Sequence, residues 1–196
     1  MRVSREKARE NLELVIETAA RLLRERGLEG IGVVDIMKAA GLTHGGFYRN
    51  FTSKDDLATQ ASGRAASSMK ATMIAGLAQS PDEPFRALVE CYVSQGHREN
   101  PGAGCILPAL AADAARRDNP ALRALFTAVI QDYLDQLAKL ASAMPEALRE
   151  RHPSAILSEM VGAVILSRVV VDDEMADLLM GAVVTDIVGA PGRTAA

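Results

Sequence analysis

Residues 33–57 read VVDIMKAAGLTHGGFYRNFTSKDDL, and this stretch is the most informative part of the sequence. Apolar side chains recur at helical spacing over 33–40, Gly41 and Leu42 interrupt them, and a second short segment covers 43–50. Two short helices joined by a tight turn form a helix-turn-helix. The sequence therefore predicts this motif near the N-terminus.

The same spacing predicts which side chains of the motif are buried. The inner face of its first helix is formed by Val33, Ile36, Met37 and Ala40. Phe47 and Phe51 lie four residues apart, so they also face inward. The side chains predicted to remain outside are Thr43, His44, Tyr48 and Asn50.

The exposed side chains suit contact with DNA. Thr43 and His44, at the start of the second helix, are placed to meet base edges. Tyr48 and Asn50 can donate hydrogen bonds to phosphate oxygens. Ser53 and Asp56 resemble a capping box that opens a longer helix. Lys54 begins that helix, where free N–H groups favour an anion.

Two glycines, Gly45 and Gly46, lie inside the second helix and cost about 1 kcal/mol each relative to alanine. Close approach to a DNA groove at Gly45, or to the neighbouring helix, would offset that cost. A loose turn that merely tolerates glycine is the alternative.

Catalytic and metal-binding chemistry finds no support in these residues. His44 has no second ligand at metal-binding spacing, and His97 and His152 are distant in sequence. No glycine-rich phosphate loop is present, and no nucleophile has a neighbouring base. We therefore predict no metal, no cofactor and no enzymatic activity.

Composition and charge agree with a helical DNA-binding protein. Of 196 residues, 48% are hydrophobic and none is tryptophan, which suits a core of packed helices. Residues 1–64 carry 11 Lys and Arg against 9 Asp and Glu, whereas the remainder carries 11 against 16. This asymmetry suits an anionic partner at one end, although ordinary solvated helix faces explain it equally well. No membrane segment or signal peptide is predicted, so a cytoplasmic location is expected.

Helical periodicity and the Pro and Gly breaks predict an all-α fold. We expect a first helix from Ser4 to Gly27, and a helix from Ser53 to about Leu77. Further helices are predicted over 85–98, 105–117, 121–143, 154–171 and 173–188.

Residues 12–57 resemble the DNA-binding domain of the TetR family of bacterial transcriptional repressors. The resemblance rests on the first helix ending at Gly27, on the stretch quoted above, and on its residues Phe47, Tyr48, Phe51, Ser53, Lys54 and Asp55. Two positions depart from the family pattern. Asn50 replaces the usual histidine, and Gly32 replaces the usual Thr or Ser cap, which leaves that residue's phosphate contact in doubt.

The resemblance implies a three-helix DNA-binding domain over 1–52, a larger helical ligand-binding and dimerisation domain over 53–190, and a tail over 191–196. It implies a homodimer that binds double-stranded operator DNA, because two reading heads are needed for a palindromic site. The last two helices are the expected interface, through Ile156, Met160, Ala163, Val164, Ser167, Leu178, Leu179, Ala182 and Val183. The alternative is that these faces close the core of the monomer.

The resemblance also implies a small-molecule effector bound among the middle helices. The candidate lining residues are Met69, Met73, Tyr92, Cys105, Phe126 and Tyr133, each of which could instead be ordinary core. Cys105 opens a predicted helix, where a thiolate is favoured, and "GCILPALAADAAR" is similar to a branch of the family that senses electrophiles. The effector is therefore expected to be apolar or electrophilic.

Two other functions remain possible at this point. The chain could be a small helical enzyme or ligand carrier, or a module that binds protein through the same helices. The grouping of Tyr48, Asn50 and Lys54 favours a DNA-binding repressor over both.

Overall fold

The computed structural model describes residues 5–144 and 146–189, and α-helices cover most of them without any β-strand in these ranges. The helices are α1 Arg5–Arg26, α2 Val33–Ala39, α3 Lys54–Gln79, α4 Pro84–Tyr92, α5 Gln95–Glu99, α6 Ile106–Arg116, α7 Pro120–Lys139, α8 Pro153–Val169 and α9 Asp173–Val188. Short 3₁₀ turns occur at His44–Arg49, Pro101–Ala103, Ala141–Ala143 and Glu146–Leu148. The predicted all-α fold is confirmed.

Helix α1 ends where the sequence predicted. Gly27 has φ +78°, a left-handed conformation that favours glycine, and its N–H donates to the Leu23 carbonyl. The buried face of α1 includes Val15, Ile16 and Leu23. The predicted start at Ser4 lies outside the described residues.

The turn of the helix-turn-helix depends on Gly41. It follows α2 with φ +69°, and the next N–H, from Leu42, donates to the Met37 carbonyl at 2.9 Å. Ile36, Met37 and Ala40 are buried beneath it, and Val33 is half-buried. The inner face of α2 is therefore as predicted.

The second helix of the motif differs from the prediction. His44–Arg49, hereafter the recognition segment, is a 3₁₀ helix rather than an α-helix over 43–50. Its hydrogen bonds span three residues, from the Gly46 N–H to the Thr43 carbonyl and from the Asn50 N–H to the Phe47 carbonyl. A six-residue segment with two adjacent glycines gains little from α-helical propagation.

Two of the longer predicted helices are also interrupted. The helix expected over 85–98 divides into α4 and α5, because the Ser94 hydroxyl caps α5 by accepting the His97 N–H. The helix expected over 121–143 ends at Lys139, and a 3₁₀ turn follows at Ala141–Ala143.

The chain forms two compact units. The first comprises Met1–Met69 with Pro101–Thr127, and the second comprises Lys70–Asn100 with Ala128–Ala196. Thus α1, α2, the recognition segment and α6 belong to the first unit, whereas α4, α5, α8 and α9 belong to the second. The functional boundary proposed at residue 53 is a separate matter and stays a prediction, and the tail over 191–196 lies outside the described residues.

Within the described residues, no helix is both long enough and apolar enough to cross a membrane.

Candidate nucleic-acid interface

The recognition segment exposes the side chains that the sequence assigned to DNA. Thr43, His44, Gly45 and Asn50 are all exposed. Tyr48 is 70% exposed, which is high for an aromatic residue. Its ring packs edge-on against His44, with centroids 5.7 Å apart. The two rings therefore form one exposed surface that carries hydrogen-bonding groups.

The opposite side of the recognition segment anchors it to the core. Phe47 and Phe51 are 1% and 2% exposed, and their rings stack with centroids 5.3 Å apart. Phe47 also contacts the ring of Tyr48 edge-on at 5.1 Å. Burial of these two phenylalanines therefore orients the exposed side chains of a segment that has only two helical turns.

The two glycines of the segment differ in their surroundings. A Cβ built on Gly46 would lie 3.7 Å from the Met37 Cε, so this position packs against α2. A Cβ on Gly45 would meet no described atom within 4 Å. Packing against the neighbouring helix therefore concerns Gly46 alone, and Gly45 leaves open surface beside His44.

Hydrogen bonds define the start of α3. The Ser53 hydroxyl accepts the Asp56 N–H at 3.0 Å, as a capping box predicts. The Asp56 carboxylate bonds back to Thr52, accepting its N–H at 2.9 Å, rather than to Ser53. Hydrogen bonds from the Gln60 amide and from Thr52 lower the pKa of Asp56. The first turn of α3 is thus held in place next to Lys54.

Lys54 lies at the first position of α3 with its side chain 27% exposed. Its Nζ is 3.7 Å from Glu29 Oε2, a carboxylate 25 residues earlier that no local pattern connects to Lys54. Glu29 also pairs with Arg117, which in turn pairs with Asp55. Arg117 is 88 residues from Glu29 in sequence, so no local pattern could have connected them.

Three comparisons with known proteins bear on this site. The family model described as bacterial regulatory proteins, tetR family, matches residues 15–61. This match contains α1, α2, the recognition segment and the start of α3. Residues 15–61 are thus similar to the tetR family of bacterial regulatory proteins. The helix-turn-helix lies entirely within the matched residues.

A curated relative and several solved structures agree with this family. The HTH-type transcriptional regulator AcrR of Shigella flexneri is 27% identical over 92 residues, which are 47% of this chain and 43% of AcrR. The chain thus matches less than half the length of that relative. A TetR transcriptional regulator from Chloroflexus aurantiacus is 29% identical, covers 92% of this chain and 95% of its own, and has a TM-score of 0.76. The structure of AibR, 21% identical, covers 91% of this chain and 98% of its own with a TM-score of 0.66, and shows a shared fold.

The candidate effector residues are all buried. Exposure ranges from 1% to 8% for Tyr92, Cys105, Tyr133, Met73, Phe126 and Met69. They divide between the units, with Met69, Cys105 and Phe126 in the first and the others in the second. Within the second unit, the rings of Tyr92 and Tyr133 meet edge-on at 5.7 Å. Their assignment to a ligand stays a prediction.

Cys105 is the N-cap of α6, as the sequence suggested. Its Sγ accepts the Leu107 N–H at 3.4 Å. One residue earlier, the Gly104 carbonyl accepts a hydrogen bond of 2.8 Å from the guanidinium of Arg24, a buried residue of α1 whose pKa is lowered by burial. Cys91, in contrast, is exposed. The two cysteines therefore differ strongly in access.

The predicted dimer face of α8 is buried within a single chain. Every one of its residues is at most 4% exposed: Ile156, Met160, Ala163, Val164 and Ser167. These side chains belong to the core of the second unit, which favours the alternative that this face closes the core of the monomer. Periodicity identified the apolar face of α8 correctly but could not tell an inner face from an outer one.

Helix α9, unlike the predicted face of α8, has exposed apolar side chains. Of the residues predicted there, Leu178 is 69% exposed and Ala182 is exposed, whereas Leu179 and Val183 are half-buried. Met175 adds a further apolar side chain, 50% exposed, and α8 carries its own exposed row on the side away from the core. The outer apolar face, as we call it, consists of Ile165, Leu166, Val169, Met175, Leu178 and Ala182.

Among the described residues, no group of three or more His, Cys, Asp or Glu side chains is arranged to hold a metal ion.

Proposed function

We propose that this protein is a homodimeric, ligand-responsive repressor that binds a palindromic DNA operator and releases it when a small molecule binds. The main support for this proposal is that Thr43, His44 and Tyr48 are exposed next to the buried anchors Phe47 and Phe51. A helix-turn-helix with hydrogen-bonding side chains outside and aromatic anchors inside is suited to the major groove.

Within this proposal, the residues divide into two roles. Thr43 and His44 meet base edges, with the open surface at Gly45 allowing close approach. Tyr48, Asn50 and Lys54 bind phosphate oxygens, which position the head without reading sequence. The proposed partner is chromosomal DNA, so the protein would act in the bacterial cytoplasm, and this function needs neither cofactor nor catalysis.

The outer apolar face supports the homodimer. Exposed apolar rows of this kind mark interaction surfaces, and a second copy supplies the matching face through two-fold symmetry. A dimer with one helix-turn-helix in each subunit would account for binding to a palindromic site. We propose that the interface uses Leu178 and Ala182 of the predicted set together with Leu166, Val169 and Met175.

The effector is proposed to bind among the buried residues Met69, Met73, Tyr92, Cys105, Phe126 and Tyr133. AibR has been crystallised with isovaleryl coenzyme A and operator DNA, so one protein of this fold binds both kinds of partner. The apolar lining favours an apolar ligand, and Cys105 additionally suits an electrophile.

Selection of bound sequences from a random DNA library tests the central proposal. A two-fold symmetric consensus is expected, and recovery of no enriched sequence would refute it.

The effector proposal is tested by treating the protein–operator complex with N-ethylmaleimide. Release that is lost in Cys105→Ser but retained in Cys91→Ser assigns the sensor to Cys105. The reverse pattern assigns it to the exposed Cys91, and no release favours a reversible apolar ligand.

A further inference from the structure

Four charged side chains near the start of α3 form a chain of alternating sign. Lys54 approaches Glu29, Glu29 pairs with Arg117, and Arg117 pairs with Asp55. The two cations use different oxygens of Glu29, since Lys54 faces Oε2 and Arg117 bonds Oε1. Two positive and two negative groups leave this cluster neutral.

The position of Glu29 is set by the backbone that precedes it. The buried Leu28 donates its N–H to Asp113 Oδ2 of α6 at 2.8 Å. A Cβ on Gly27 would come within 2.9 Å of the same oxygen, so a larger residue there would disturb this bond. Glu29 is therefore held close to the end of α6, where Arg117 is the C-cap.

The two pairs made by Glu29 differ in strength. A distance of 3.7 Å between Lys54 and Glu29 exceeds that of a normal hydrogen bond, and the Glu29 side chain is 78% exposed. Such a pair contributes little and exchanges readily for another anion. The side chain of Arg117 is only 18% exposed, and its guanidinium contacts two carboxylates at once. Glu29 is thus bound mainly by Arg117.

We propose that Arg117 is a positioning residue for DNA binding, because it occupies Glu29 and Asp55 and so leaves Lys54 available to a phosphate. This inference rests on the proposed function, in which Lys54 contacts the DNA backbone. Without Arg117, two carboxylates would compete with the phosphate for one lysine. The cluster would also carry a net negative charge beside the DNA, which repels it.

The test measures operator affinity and its salt dependence for the full-length chain by fluorescence anisotropy, with the DNA recovered by selection. Arg117→Gln is expected to raise the Kd about fivefold at low salt. It should also reduce the slope of log Kd against log salt concentration by up to the equivalent of about one phosphate contact. Glu29→Gln should bind at least as tightly as the wild type. The double variant Arg117→Gln/Glu29→Gln should return the Kd to within about twofold of the wild type, since the main competitor is gone.

Arg116→Gln is the matched control. It loses the same charge one residue earlier, where Arg116 makes an exposed pair with Asp113 at 2.7 Å. Its Kd should change less than about twofold, as is usual for an exposed pair. Thermal melting confirms that each variant is folded. If Arg117→Gln fails to fold, Arg117→Lys, which keeps the charge without the planar fork, should bind operator DNA more weakly than both the wild type and Arg116→Gln.

Four other outcomes would contradict the inference, and they can be distinguished from one another. Equal affinities for Arg117→Gln and Arg116→Gln would overturn it, as would a double variant no tighter than Arg117→Gln. Weaker binding by Glu29→Gln would show that Glu29 assists Lys54 rather than competing for it. A wild-type chain that binds no selected DNA would instead refute the proposed function, and the inference with it.

Discussion

In the first unit, the loop between α1 and α2 and the start of α3 are tied to α6 by charged and polar contacts, whereas in the second unit α8 and α9 present exposed apolar side chains. Arg117, Glu29 and Asp113 carry the first set of contacts. Leu166, Val169 and Leu178 represent the second. Exposed charge pairs exchange partners at small cost in free energy. Exposed apolar groups, in contrast, lower the free energy only when they leave water.

This difference suggests two kinds of contact. The charged junction would suit the proposed binding and release of DNA, while the apolar face would suit the proposed association between subunits. Each can be tested by a substitution that disturbs one surface and spares the other.

The largest expected effect is on the free energy of unfolding, when a charge is placed on the inner rather than the outer face of α8. Val164 is fully buried, so Val164→Asp should lower the free energy of unfolding by about 3 kcal/mol or more, because it buries an unpaired charge. Leu166→Asp, on the exposed side of the same helix, should lower the free energy of unfolding of the monomer by less than about 1 kcal/mol. Urea denaturation at one protein concentration measures both. Equal destabilisation by the two variants would contradict the assignment of faces.

The next effect concerns assembly. Leu178→Glu and Ala182→Glu should raise the dimer dissociation constant about 100-fold or more, because each introduces a charge into the proposed interface. Sedimentation equilibrium measures the change, and operator binding should weaken with it. Ile130→Glu, at an exposed apolar position on α7, is the control and should remain dimeric. An intact dimer in both interface variants would move the interface elsewhere.

Within the proposed DNA-binding residues, substitutions should distinguish side chains that contact bases from side chains that contact phosphates. His44→Ala or Thr43→Ala should alter sequence preference, with about 1–3 kcal/mol lost per base contact. Lys54→Ala should weaken binding to all sequences alike and reduce the slope of log Kd against log salt concentration by about one. Anisotropy with a panel of operator variants at several salt concentrations distinguishes the two. A changed preference with an unchanged slope in Lys54→Ala would reverse the assigned roles.

The smallest effect is the pH dependence of the α3 cap. Hydrogen bonds from Gln60 and Thr52 lower the pKa of Asp56, so its carboxylate is favoured in the folded state. That contribution to stability is present above the unfolded pKa of about 3.9 and is lost as pH falls through the lower folded value. Asp56 is half-buried and its hydrogen bonds to Thr52 and Gln60 are exposed, so Asp56→Asn should lower the Tm by less than about 2 °C at neutral pH. The difference between the two melting curves should vanish in acid, and a difference that persists there would point to another cause.

Much of the head could be predicted from the sequence because its signals are local. The turn at Gly41, the buried Phe47 and Phe51, and the hydroxyl cap from Ser53 each follow from spacing over a few residues. The break between α4 and α5 was missed although Ser94 carries the same capping signal, because the predicted helix was ended only at the stronger loop signal ENPGAG over 99–104. The 3₁₀ form of the recognition segment shows that Gly45 and Gly46 weigh more than helical spacing in a short element.

The sequence by itself determined the all-α fold, the helix-turn-helix and the exposed candidates for DNA contact, since these depend on backbone preference and on neighbours along one helix. Only the tertiary structure decided that Val164 and Met160 lie in the core while Leu166 and Val169 face outward. It alone brought Arg117 to Glu29 and Asp55 across 88 and 62 residues. Apolar periodicity specifies that a helix buries one face, but which surface covers that face, and which distant charges meet, depends on how the whole chain packs.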